Sequence, residues 1–325
     1  MSTVQPALRL AAGVDAREHV RAWLAAPELG ELVDAQGARP PHHEGDPAAE
    51  LADLDVFSDR WDLGGGRERN EAGARQLDER QIELVLRAAR ALGQLDHRLP
   101  DGREWDHVVV LGGLLRACVA RPLLAARWLA EGAVQTDSVV ALGSLRQVND
   151  GERELAGRVE DLVDPRATLA DELDALTVGV RRAFDLPGVF DEVAERHASP
   201  ETSWVQRLYR DPGGPSLTLL AAPAPRPGWR ATTGEALSWW GDRAALAPGT
   251  RVLLVTTEIY RHYHLVEGVR TLGLRRSAVV DCVGMSPDQA DPRLAHEFGA
   301  SSRLQELRSS IRALRALVAD LGPTR

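Results

Sequence analysis

The stretch RVLLVTTEIYRHYHLVEGVRTLGL, residues 251–274, opens as an apolar strand. Its residues 256–264 are two threonines, a glutamate, two tyrosines, an arginine, two histidines and a single isoleucine. Hydroxyls and arginine can hold an anion, and a carboxylate or an imidazole can move a proton. Four other apolar runs end in a similar way. HVVVLGG exits at Gly112 and Gly113, with Arg116 and Arg121 just after. VVALGS exits at Gly143 and Ser144, followed by Arg146, Asn149 and Glu152. SLTLLAAPA leads to Arg230, Thr232, Thr233 and Glu235, and SAVVDCVG leads to Ser286 and Asp288.

These residues need a scaffold that brings distant segments to one rim. Apolar runs separated by helical patterns indicate a parallel sheet covered on both faces. The expected fold is α/β: a Rossmann-like, doubly wound, mainly parallel five-stranded sheet over 105–325, preceded by a helical extension over 1–104. Ligands of such sheets bind beyond the carboxyl ends of the strands. The expected ligand-binding residues are therefore Gly112, Gly113, Arg116, Arg121, Ser144, Arg146, Arg230, Thr232, Thr233, Thr256, Thr257, Tyr260 and Arg261. Glu152, Glu258 and His262 are the acid/base candidates, with His264 an alternative to His262.

In the extension, VDAREHVRAWL has Asp15 as a candidate N-cap with Glu18 three residues on, ahead of Val20, Trp23 and Leu24. LDERQIELVLRAARALGQL has helical spacing through Ile82, Val85, Leu86, Ala89 and Leu92. Between them SDRWDLGGGRERN combines Arg60, Arg67, Arg69 and Asn70 with three adjacent glycines, a candidate lid or a plain exposed loop. His42 and His43 fall in a proline-broken loop. Leu169, Leu173, Leu176, Val180 and Phe184 form one helical stripe. Leu304, Leu307, Ile311, Leu314, Leu317 and Leu321 form another, expected to dock on the sheet.

Composition narrows the chemistry. All 39 basic residues are arginine, because the 325-residue chain has no lysine. A Walker-A lysine, a Schiff base and covalent pyridoxal phosphate are thereby excluded. The Gly112–Gly113 pair lacks the rest of a dinucleotide fingerprint, which argues against NAD. The cofactor is left open, with S-adenosylmethionine and a nucleotide as the candidates. His262 and His264 are two apart and cannot chelate one metal from a helix, so no metal site is expected. The net charge of −9 argues against a nucleic-acid partner. No apolar run reaches the ~20 residues of a membrane span. The N-terminus lacks a signal-peptide pattern, and two widely spaced cysteines, Cys118 and Cys282, fit a reducing cytoplasm. The expected partner is a small anionic ligand, and a homo-oligomer is left open.

HVVVLGG, the arginine-bearing helix after it, VVALGS with its following glutamate, ATTGEAL and VLLVTTEIYRHY…LG resemble, in order and spacing, the SanA/YdcF-like superfamily (ElyC-type proteins) over residues 105–285. The resemblance implies a Rossmann-like sheet and a small-ligand pocket, with cell-envelope or nucleotide-like ligands for some members. It likens Arg121 to the family's first-helix arginine, Gly143 and Ser144 to its second strand exit, and Glu152 to its acidic helix start. It likens Thr233, or Thr232 in the alternative register, to the motif threonine, and Thr256 and Thr257 to a Thr-Ser pair. Tyr260 and Tyr263 depart from it, standing where the family has histidine and arginine. His262 and Arg261 could replace those two only if the helix were re-registered. The expected function is a small-molecule transferase or hydrolase on a phosphorylated or nucleotide-like ligand. The alternative is a non-catalytic metabolite-binding module using the same crevice.

Overall fold

A computed structural model describes residues 16–37, 43, 45–62, 76–95, 97–186, 189–209 and 214–322. Asp15, His42 and the proposed lid residues Arg67, Arg69 and Asn70 lie outside them.

The sheet has seven strands: β1 (His107–Leu111), β2 (Ser138–Gly143), β3 (Asp191–Glu195), β4 (Trp204–Tyr209), β5 (Ser216–Ala221), β6 (Arg251–Thr257) and β7 (Val279–Met285). Their order is β3-β4-β5-β2-β1-β6-β7. β5, β2, β1, β6 and β7 are parallel neighbours, and these are the five runs expected from sequence. The expectation of five strands falls short by the antiparallel pair β3 and β4 at one edge. All five residues of β3 are exposed, so DEVAE carries no hydrophobic alternation to announce a strand.

Successive residues of the parallel strands alternate between two cores. Val109, Leu111, Val140, Leu142, Val252 and Leu254 join one core, and Val108, Val110, Val139, Ala141, Leu253 and Val255 join the other. The second face is covered by α5 (Leu115–Ala130), α6 (Asp150–Arg158) and α7 (Glu172–Phe184). The first is covered by α8 (Thr233–Arg243), α9 (Arg261–Gly268) and α11 (Ala300–Leu321). Between α9 and α11 come a π-helical turn, Val269–Gly273, and the short α10 (Leu274–Arg276).

The N-terminal helices α1 (Ala16–Leu24), α2 (Pro27–Ala35), α3 (Pro47–Ser58) and α4 (Glu79–Ala91) continue the first core rather than building a separate one. Val20, Trp23, Leu32, Leu51 and Val85 share it with Leu307, Ile311 and Leu314 of α11. The α11 stripe thus docks within the chain, and Arg312 and Arg315 pair with Asp55 of α3 along its rim. α4 sits rotated from its expected face: Val85, Ala88 and Ala89 are buried, whereas Ile82 and Leu86 are exposed. Among the described residues no helix is long and apolar enough to cross a membrane.

Candidate functional site

A cavity of about 660 Å³ lies beyond the carboxyl ends of β1, β2, β6 and β7. Leu111, Gly112, Leu142, Gly143, Thr257 and Met285 form its floor. Arg230, Thr232 and Thr233, at the opening of α8, line another side. The segment between β7 and α11 covers it with Leu294, Ala295, His296 and Phe298. Arg116 pins this cover, donating from Nη1 to the carbonyls of Leu294 (2.9 Å) and Ala295 (2.6 Å).

Glu172, which sequence reasoning missed, is the buried carboxyl of the site. It opens α7 beside its N-cap Asp171 and is only 6% exposed. The Ser144 hydroxyl donates to its Oε2 at 2.7 Å. Burial pushes the Glu172 carboxyl up, against the opposing pull of Ser144, Arg146 and Arg230. Two strand-exit glycines make room for it. A Cβ on Gly112 would collide with Glu172 Oε1, and one on Gly143 would lie 3.0 Å from that oxygen and 2.7 Å from Leu176 Cδ1.

Many of the expected residues do meet here. Gly112, Gly113, Arg116, Arg121, Ser144, Arg146, Arg230, Thr232, Thr233, Thr257 and Tyr260 all line the cavity. Their hydrogen bonds divide their roles. Arg121 is 2% exposed and donates from Nη1 to the carbonyls of Leu111 (2.7 Å) and Gly112 (2.6 Å). Its Nε and Nη2 donate to Thr257 Oγ1 at 3.1 and 2.9 Å. It clamps the exits of β1 and β6 to each other. Arg146 is spent in the same way, on Glu152, the Gln147 carbonyl and the Gly113 carbonyl.

The three expected acid/base residues sit elsewhere, as do two of the expected ligand-binding residues. Glu152, Glu258, His262, Thr256 and Arg261 are not among the residues lining the cavity. Glu152 closes a capping box with Asn149 at the start of α6 and accepts the Leu115 N–H at 2.7 Å. Burial works to raise its carboxyl, but the hydrogen bonds from Arg146, Asn149 and Leu115 outweigh it and hold the group below its usual range. These contacts tie the start of α5 to the start of α6. Glu258 accepts from Arg303 of α11 at 2.8 Å. Arg261 is buried behind the sheet end, donating from Nε to the Cys282 carbonyl.

His262 points at α1. Its Nε2 is 3.2 Å from Nε2 of His19, with ring centroids 5.5 Å apart and 19° between the planes. That separation makes the two imidazoles nearly coplanar and end to end, not stacked face to face. Burial, then the neighbouring His19 and Arg261, pushes the His262 imidazole well down. His264, two residues on, turns the other way and lines the cavity. Thr256 Oγ1 fixes its ring through Nδ1 at 2.7 Å. Among the described residues no group of three or more His, Cys, Asp or Glu could hold a metal ion.

The resemblance to the SanA/YdcF-like superfamily is overturned, because none of the matching proteins points to it. The motifs that carried it are short strand exits rich in glycine, hydroxyls and arginine, which any ligand site on a parallel sheet tends to share. The family model that matches is the Rv3785 N-terminal domain, over residues 10–93. The chain is 30% identical to uncharacterized protein Rv3785 of Mycobacterium tuberculosis and to uncharacterized protein Mb3814 of Mycobacterium bovis. Each alignment covers 93% of this chain and 89% of the relative. No solved structure matches. A likeness spanning nearly both whole chains, with its own N-terminal signature, places the protein: it belongs to the Rv3785 family.

Proposed function

We propose that the protein is a small-molecule enzyme, a transferase or hydrolase, whose anionic, phosphorylated or nucleotide-like substrate occupies the cavity at the strand ends. One observation carries this reading. A single cavity joins Arg230, Arg116 and the opening of α8 to the buried carboxyl of Glu172, whose pKa burial raises. A carboxyl whose pKa is raised holds its proton more readily and can hand it to a departing oxygen. His264, oriented by Thr256, lines the same cavity from its β6 side and supplies an imidazole there. Arg116 has Nε and Nη2 without a hydrogen-bond partner among the described residues, so it can add donors to the ligand.

A non-catalytic metabolite-binding module is the second reading. It is favoured by the internal use of Arg121, Arg146 and Glu152, whose hydrogen bonds build the cavity wall rather than face a ligand. We also read the parallel core as Rossmann-like, since β1 is central and the chain fills first one side and then the other. On the same footing we keep a boundary near residue 105 between extension and α/β domain. Two buried free thiols support a cytoplasmic setting.

A thermal-shift panel of nucleotides, S-adenosylmethionine, sugar phosphates and prenyl phosphates tests the proposal. At least one anionic compound should raise the melting temperature, and Arg230→Ala should remove most of that shift. Turnover of the bound compound, followed by mass spectrometry and lost in Glu172→Gln, marks the enzyme; binding without turnover marks the module. A shift untouched by either substitution overturns both readings.

A further inference from the structure

The β6–β7 side of the cavity is walled by rings. Tyr260, Tyr263 and His264 come from the turn after β6 and the start of α9, and His296 and Phe298 from the cover between β7 and α11. Tyr260 and Phe298 meet edge to face at 5.9 Å, as do His296 and Phe298 at 4.5 Å. Tyr263 and His264 are 5.1 Å apart. The chain has three tyrosines, and two of them are here, so overall composition does not account for the cluster. Core packing accounts for only part of it: Tyr263 packs against the first core and His264 is buried, but Tyr260 and Phe298 are only partly buried and His296 is exposed.

Two side chains of α11, Ser302 and Gln305, line the same cavity without a side-chain hydrogen bond among the described residues. A carboxamide offers one acceptor and a donor pair in a plane, which matches the edge of a nucleobase. An isoprenoid chain would leave those groups unmatched, and a plain sugar would leave the rings unmatched. Arg230 lines the cavity within electrostatic reach of Glu172, on the β2 side, with Thr233 opening α8 nearby; Thr232 is held in the α8 capping box by Glu235. From β2 to β7 is three strand spacings, about 14 Å at the usual separation. The ligand that fits is polar at one end and planar at the other.

Resting on the anionic-ligand reading above, we infer that the ligand is a nucleoside phosphate. Its base lies against Tyr260 and Phe298 with its polar edge at Gln305, and its phosphate lies at the Arg230–Thr233 end. Base–aromatic stacking discriminates such a ligand from its sugar phosphate alone.

Calorimetric titration of the full chain with the four common nucleoside monophosphates, ribose 5-phosphate and the free nucleosides tests this. At least one nucleoside monophosphate should bind tenfold or more tightly than ribose 5-phosphate. Phe298→Leu and Gln305→Ala should each weaken it by about tenfold while leaving ribose 5-phosphate unchanged. Gln305 lies on a helix surface, so its variant reports on recognition even if Phe298→Leu unfolds the cover. Equal binding of ribose 5-phosphate and every nucleotide overturns the ring subsite but spares the anionic reading. Binding of nucleosides with no gain from the phosphate overturns the nucleoside-phosphate assignment and the anionic reading together, leaving the rings as a site for a neutral ligand. If nothing in the series binds, the nucleoside-phosphate inference falls, and the anionic reading then stands or falls with the wider thermal-shift panel.

Discussion

The Ser144 hydroxyl donates to Glu172 Oε2 at 2.7 Å, inside a cavity wall that Gly112 and Gly143 keep clear of side chains. That hydrogen bond favours the ionised carboxylate, and burial opposes it. The folded-state pKa of Glu172 is raised by burial. The folded protein therefore binds a proton that the unfolded chain gives up above pH ~4.5. Stability from this group is full below that pH and is lost as pH rises through the raised folded value. Glu172→Gln keeps the shape and removes the titration. Its stability measured by urea unfolding should fall less than that of the unsubstituted protein as pH rises above about 4.5. Parallel pH profiles for the two would show that Glu172 is already ionised in the fold.

Arg121 is a scaffold residue in this account. Lysine keeps its charge but cannot satisfy the Leu111 and Gly112 carbonyls and Thr257 together. Arg121→Lys should cost about 3 kcal/mol in urea unfolding, since buried hydrogen bonds to a charged donor are lost. Loss of ligand affinity with stability unchanged within about 0.5 kcal/mol, the usual scatter of neutral changes, would make it a ligand-holding residue instead.

The His19–His262 pair joins α1 to α9, and neither Nδ1 has a hydrogen-bond partner among the described residues. Substituting one histidine by leucine strands the other, at a cost of about 2 kcal/mol. The double substitution should cost clearly less than the sum of the singles. Strict additivity would mean that the hydrogen bond contributes nothing.

Acid should open the same joint. Burial, then Arg261, lowers His19 to about 4. The unfolded chain therefore binds protons that the fold refuses between pH ~6.5 and about 4, and stability drops as pH falls across that window. The double leucine variant should lose this part of the acid dependence, as read by unfolding midpoints at pH 7.5 and 5. An unchanged dependence would assign it to other groups.

The five parallel strands were legible because burial on both faces makes each an unbroken apolar run. β3 was not, because an exposed edge strand of charged residues has no pattern of its own. The rim was legible as a set of strand exits, but not the direction of each side chain. Successive residues of α9 turn by ~100°, so His262 and His264 diverge, and sequence alone cannot tell which faces the sheet end. Glu172 escaped notice because it looks like an ordinary acidic first-turn residue of α7. The signal that pointed to it was indirect: glycines at two neighbouring strand exits, Gly112 and Gly143, leave space that some other side chain must fill.

A crystal structure of the protein with the tightest-binding anionic compound from the panel tests the central claim most directly. Ligand density should lie beyond the ends of β1, β2 and β6, with its anionic group within hydrogen-bonding distance of Arg230 or Thr233 and its body between Glu172 and Tyr260. Density on another surface, with this cavity unfilled, would contradict the site and the function built on it.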